Sequence, residues 1–146
     1  MSLTAFIALS TNQTVAQDVK DKQPAKEQSG GGHSHFTKIP ATVEEILKKI
    51  HEQQAKLAAV VAKKDLGEAH DHAFAIRDLA KALPDKVPAE NKTKAEEGSK
   101  EITKLAVDID KSGAAGAQKA TEANVEKLDV AVAALEAKLK PAEVKK

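Results

Sequence analysis

The sequence predicts an all-α fold, an antiparallel up-down-up-down four-helix bundle, on three observations. The chain is 41% apolar but only 2% aromatic, and its Ala/Lys/Glu/Leu-rich composition is typical of bundles and coiled coils. From Thr42 onward, apolar residues recur at alternating steps of three and four, which aligns them along one helix face. Proline, glycine and capping residues stand where such stretches begin and end. Much of the apolar content is alanine, so the core should be thin and made of small side chains.

The first helix follows Pro40 and opens on a capping box, Thr42-Val43-Glu44-Glu45, in which the Thr42 hydroxyl accepts from the Glu45 amide and the Glu45 carboxylate reaches back. Its seam reads Val43, Leu47, Ile50, Leu57 and Val61, with Gln54 filling one step, and the helix should run to about Lys63. Asp65 and Glu68 repeat the device, as N-cap and N3. The second seam is Leu66, Ala69, Ala73, Ile76, Ala80 and Leu83. Leu79 widens that stripe and supplies the bulk that Ala80 lacks, and Pro84 ends the helix.

Pro88 suits the first turn of a third helix. Its seam, Asn91, Ala95, Gly98, Ile102, Leu105 and Ile109, begins with polar or small residues, so this end should pack loosely or lie close to another backbone. Gly113 and Gly116 flank a break. The fourth helix carries Val125, Leu128, Val132, Leu135 and Leu139, with Pro141 as its stop; Ala142 to Lys146 should fray. The helices come out at roughly 27 to 36 Å each, and matched lengths with short connections favour antiparallel neighbours. The alternative is a pair of long hairpins whose seams need a homodimer or partner helices to cover them.

Two regions are expected: a leader over 1–38 and the bundle over 39–146. Within the leader, the short apolar run Leu3 to Leu9 is followed by Thr14-Val15-Ala16, which fits the tail of a secretory signal cleaved after Ala16, although a positive n-region is missing. This points to a periplasmic or secreted protein, with the cytoplasm as the alternative. Residues 17–38 are polar, contain Pro24 and Ser29-Gly30-Gly31-Gly32, and bury too little apolar surface to offset their ordering entropy. They read as a flexible tether leading to His33-Ser34-His35.

Several function classes are excluded. There is no cysteine, which removes disulfides, thiolate nucleophiles, Cys-ligated zinc and iron–sulfur clusters and covalently attached haem. The only methionine is Met1. Net charge is +1 and the single arginine is Arg77; a nucleic-acid binder would show a basic stripe. No stretch is long enough to span a membrane. No nucleophile elbow, phosphate-cradling loop or nucleophile–base pair is present, so no enzyme activity is expected.

All five histidines fall between residues 33 and 72: His33, His35, His51, His70 and His72. Imidazole is the commonest side-chain ligand for copper, nickel and zinc, and a tethered His33-Ser34-His35 can grip such an ion with two nitrogens. His70 and His72 point about 200° apart on a helix and cannot easily share an ion. Glu68 and His72, four apart, lie on one face. His51 borders the first seam, opposite about residue 78 if the first two helices form a hairpin; the extended chain from His35 to Thr42 reaches about 24 Å, so a site joining His33, His35 and His51 is geometrically open. The rival is a structural or protein-interaction module with no metal role, its histidines ordinary boundary residues.

Two resemblances bear on this choice. Ala69-His70 resembles the Ala-His pair of histidine phosphotransfer domains, which are also four-helix bundles; their lysine and glycine, which stabilise and make room for the phosphoryl group, are replaced here by Ala73 and Phe74. If that resemblance held, His70 alone would carry over. More broadly, the stretch His33 to Leu83, with Ile50-His51, Glu68-Ala69-His70-Asp71-His72-Ala73 and Ala82-Leu83-Pro84, is similar to small exported helical proteins found with heavy-metal resistance systems. The resemblance covers about a third of the chain and implies a periplasmic, metal-associated role. Limited proteolysis should digest residues 1 to about 38 while the remainder resists; a leader that survives alongside the bundle would argue for its docking there and favour the fold-back site with His51.

Overall fold

The computed structural model describes residues 38–140, in which four α-helices and one 3-10 turn are the only regular elements. Helix α1 spans Val43–Ala62, α2 Leu66–Ala82, α3 Ala89–Ala114 and α4 Gln118–Leu139. They have 20, 17, 26 and 22 residues, or roughly 26 to 39 Å at the α-helical rise, so α3 is longer than its spacing suggested.

The capping residues act as their chemistry dictates, with one exception. Thr42 is extended, at φ −113° and ψ 155°, and its Oγ1 accepts from the Glu45 amide at 3.2 Å. Asp65 stands at the N-cap of α2 but takes no side-chain capping bond, because its backbone, at φ −89° and ψ 69°, is not extended; its carbonyl accepts from the Glu68 amide instead. Pro84 lies inside the 3-10 turn Leu83–Asp85 that follows α2, and Pro88 is the N-cap of α3 rather than a first-turn residue.

Two turns close the same way. Lys64 and Gly116 take left-handed φ of 62° and 66°, and the next amides, of Asp65 and Ala117, reach back to the Val60 and Ser112 carbonyls at 2.9 Å. This is the six-to-one bond of a Schellman ending, which needs a left-handed residue just past the helix. Gly116 therefore makes the break before α4. Gly113 does not: it is helical and buried in α3.

Around the bundle, α1 lies beside α2, α2 beside α3 and α3 beside α4, and α4 returns to α1 in the lightest of these contacts. The stripes of α2, α3 and α4 fall close to where periodicity places them, with Leu66 and Asn91 at the ends of theirs only partly buried. Ala69, Ala73, Ile76, Leu79, Ala80 and Leu83 are buried, as are Val125, Leu128, Val132, Leu135 and Leu139. In α1 the stripe is shifted. Its buried residues are Ile46, Ile50, Gln53, Leu57 and Val61, with Val43 and Leu47 only partly buried at the edge. Ile46 was not in the predicted seam, and the polar step belongs to Gln53, not Gln54. Apolar side chains at both Val43/Leu47 and Ile46/Ile50 satisfy the three-four spacing, and packing against α2 selects the second pair as the centre.

Small residues let α3 approach its neighbours. A Cβ on Gly98 would fall 2.6 Å from Leu135 Cδ1 and 3.1 Å from its Cβ; one on Gly113 would fall 3.0 Å from the Leu66 carbonyl oxygen. Beneath the α3–α4 turn, the fully buried Thr121 donates its hydroxyl to Ser112 Oγ at 3.0 Å or the Ala117 carbonyl at 3.1 Å. Asn124 donates to the Asp108 carbonyl at 3.2 Å.

Leu79→Ala should cost about 2–5 kcal/mol in denaturant unfolding, the range for a fully buried leucine; a near-zero cost would show that this side of α2 is exposed. Gly67→Ala, where an added Cβ meets nothing closer than 3.9 Å, should stabilise by up to about 1 kcal/mol through helix propensity. Gly98→Ala should instead destabilise, because Leu135 is boxed in and overpacking costs about 1–3 kcal/mol.

Candidate metal-ligating site

Among the described residues, His51, His70 and His72 stand apart from one another. His33 and His35 lie outside the described residues. His70, near the start of α2, is half-exposed; its Nδ1 donates to the Gly67 carbonyl at 2.7 Å and its Nε2 lies 3.0 Å from Asp71 Oδ1. Its ring meets Phe74 edge-on, with centroids 6.2 Å apart. His70, Asp71 and Phe74 make further contacts as well. Phe74 also carries the Arg77 guanidinium 4.4 Å above its ring, while Arg77 is bound to Asp78 at 2.7 Å.

His72 faces α1. Its Nδ1 donates to Gln53 Oε1 at 2.8 Å, which satisfies the one polar side chain in the centre of the α1 stripe. Burial is the main influence that lowers its pKa below the ordinary 6.5, with Lys56 adding repulsion and Asp71 and Glu68 opposing. Glu68, one turn before His72, is exposed.

His51 has the arrangement with the most chemical content. It lies across the α1–α4 seam, where its Nε2 stands 3.2 Å from Glu136 Oε2. Its Nδ1 is 2.9 Å from Gln54 Oε1, and Gln54 Nε2 donates to Asp129 Oδ1 at 2.6 Å. Because the Gln54 amide nitrogen is committed to a carboxylate, its oxygen must face His51, so Nδ1 carries the proton. The contact with Glu136 Oε2 is a hydrogen bond only when Nε2 carries a proton as well; an ion that takes the place of that proton meets the Nε2 lone pair aimed at Glu136. Two ligands held by one ion at about 2.0–2.1 Å each stand about 2.9–3.4 Å apart for square to tetrahedral angles, and the 3.2 Å separation falls inside that range. In metal sites a histidine ligand usually donates its other nitrogen's hydrogen to a fixed acceptor.

The groove around this pair holds about 430 Å³ and is lined by Val43, Glu44, Leu47, Lys48, His51, Glu136, Leu139 and Lys140. Lys140 Nζ stands 3.7 Å from the other Glu136 oxygen. Among the described residues no group of three or more His, Asp or Glu side chains gathers closely enough to hold a metal ion. His51, His70 and His72 do not converge, and Glu68 joins none of the polar contacts around His51.

Sequence reasoning does not single out Glu136 or Asp129, and it names Gln54 only as a step of the first seam. As α1 advances from His51 to Gln54, the α4 partner steps back from Glu136 to Asp129, the register of antiparallel neighbours. Only the closing of α4 onto α1 brings them together, so the available signal was the predicted up-down-up-down order itself, which makes the first and last helices adjacent. Comparison with family models, curated proteins and solved structures finds no match to this chain.

The His72 titration midpoint, followed by NMR, should fall below 6.5. The unfolded chain then binds the proton more readily than the folded one, so stability should fall as pH drops from about 6.5 towards the depressed folded value and level off below it. His72→Gln should remove that part of the pH dependence; an unchanged profile would mean that another group carries it.

Proposed function

We propose that this chain is a non-enzymatic, exported helical-bundle protein that binds a divalent transition metal, copper(II), nickel or zinc, through histidine. One observation carries the reading: the His51 Nε2–Glu136 Oε2 pair, at ligand–ligand spacing across two helices, with the imidazole tautomer held by Gln54. Two protein ligands make half of a stable site, and structural zinc takes four. We assign the other half to His33 and His35. Thr42 and His51 are separated by roughly 14 Å of helix, well within the reach of about 24 Å of extended chain between His35 and Thr42. Export rests on Leu3–Leu9 and the Thr14–Ala16 pattern, and no helix among the described residues is long and apolar enough to cross a membrane.

Tag-free protein titrated with each ion in a calorimeter should bind near neutral pH and lose binding below about pH 6, because protons compete for the same imidazole nitrogens. His33→Ala with His35→Ala should remove most of the affinity, and His51→Ala should weaken what is left. Absence of binding heat for all three ions at micromolar protein would leave the interaction-module reading in its place. Binding that survives those changes but disappears with Glu68→Ala or His72→Ala would move the site to α2.

A further inference from the structure

We propose that ion occupancy of the His51–Glu136 pair fastens α1 to α4, so that the metal sets how often that side of the bundle opens; the inference rests on the metal-binding reading above. Three of the four neighbouring helix pairs are joined by short turns, at residues 63–65, 83–88 and 115–117. The α1–α4 pair has no such link and makes the lightest contact of the four. The seam is bridged by hydrogen bonds between polar side chains, His51 to Glu136 and Gln54 to Asp129. Beside them the groove leaves Val43 and Leu47 only partly buried.

Exposed polar pairs of this kind contribute little to stability, because water competes for both partners. The His51 side chain is 52% exposed and that of Glu136 26%. A coordinated ion is different. It joins residues 85 apart in sequence and acts as a reversible cross-link that closes a long loop. The ion binds the closed seam, where both ligands meet, and loses one ligand when α1 swings away. Closed molecules are then favoured in proportion to occupancy. Glu136 can serve both charges, with Oε1 towards Lys140 and Oε2 towards the ion.

The test is hydrogen exchange on the full, tag-free chain with and without zinc, at a concentration about 100 times the dissociation constant found by calorimetry. Amides of α1 that exchange by opening of the seam should slow by up to about 100-fold, while amides facing one another in α2 and α3 change far less. Glu136→Gln, which keeps the shape of the side chain, should abolish the slowing even though calorimetry still registers zinc on the remaining histidines; His51→Gln should do the same. Zinc that binds without slowing α1, that slows every helix alike, or that acts equally on the Glu136→Gln protein would overturn the staple and leave the binding reading intact. Absence of zinc binding by calorimetry would overturn both.

Discussion

The close approach of α3 to both neighbours is the constraint on which the rest of the bundle depends. With few aromatic side chains available, the core cannot be filled by bulk, and dispersion falls off steeply once surfaces separate. Small residues on α3 solve this. Gly98 admits Leu135 from α4, Gly113 admits the backbone at the start of α2, and Ala95 and Ala106 of the same helix are buried. The two outer helices are thus set by α3. The first helix is then positioned mainly by α2, through the stripe that includes Ile50, Leu57 and Val61.

The α1–α4 side inherits what remains. Its central links are polar and partly hydrated, so they select a register more than they hold the helices together. Gln54 has two roles there: it ties α1 to Asp129 and orients the His51 ring. A similar division occurs on the other face of α1, where Gln53 would be a buried polar liability without the His72 ring. Adjacent glutamines on one helix thereby fix two histidines in different settings, one half-buried beside the α1 stripe and one left at an open groove.

Much of the fold was legible because helix periodicity is local. The α2 and α4 stripes, Leu79 and the Thr42 cap follow from spacing and residue type alone. The phase of α1 did not, since its apolar residues cover a wide arc and only the position of its neighbours chooses between Ile46 and Leu47. Asp65 is the right residue for a cap, but its backbone angles put the carboxylate out of use. Gly113 has the residue type of a helix stop and serves instead as a contact point. The site was least legible. His51 could be named from its chemistry, but its partner Glu136 is one of many carboxylates on polar faces and is distinguished only by a tertiary contact 85 residues away.

Val43 at the start of α1 and Leu139 at the end of α4 line the same groove, and this proximity has a topological consequence. The four helices form a closed circuit in space, and the covalent chain leaves one of its sides unbridged. A short linker from the end of α4 to the start of α1 would complete the circuit, and the chain could then be reopened at the turn around Lys64 or Gly116 with the same helix neighbours preserved. Which helix comes first in the chain is therefore incidental to the bundle's packing.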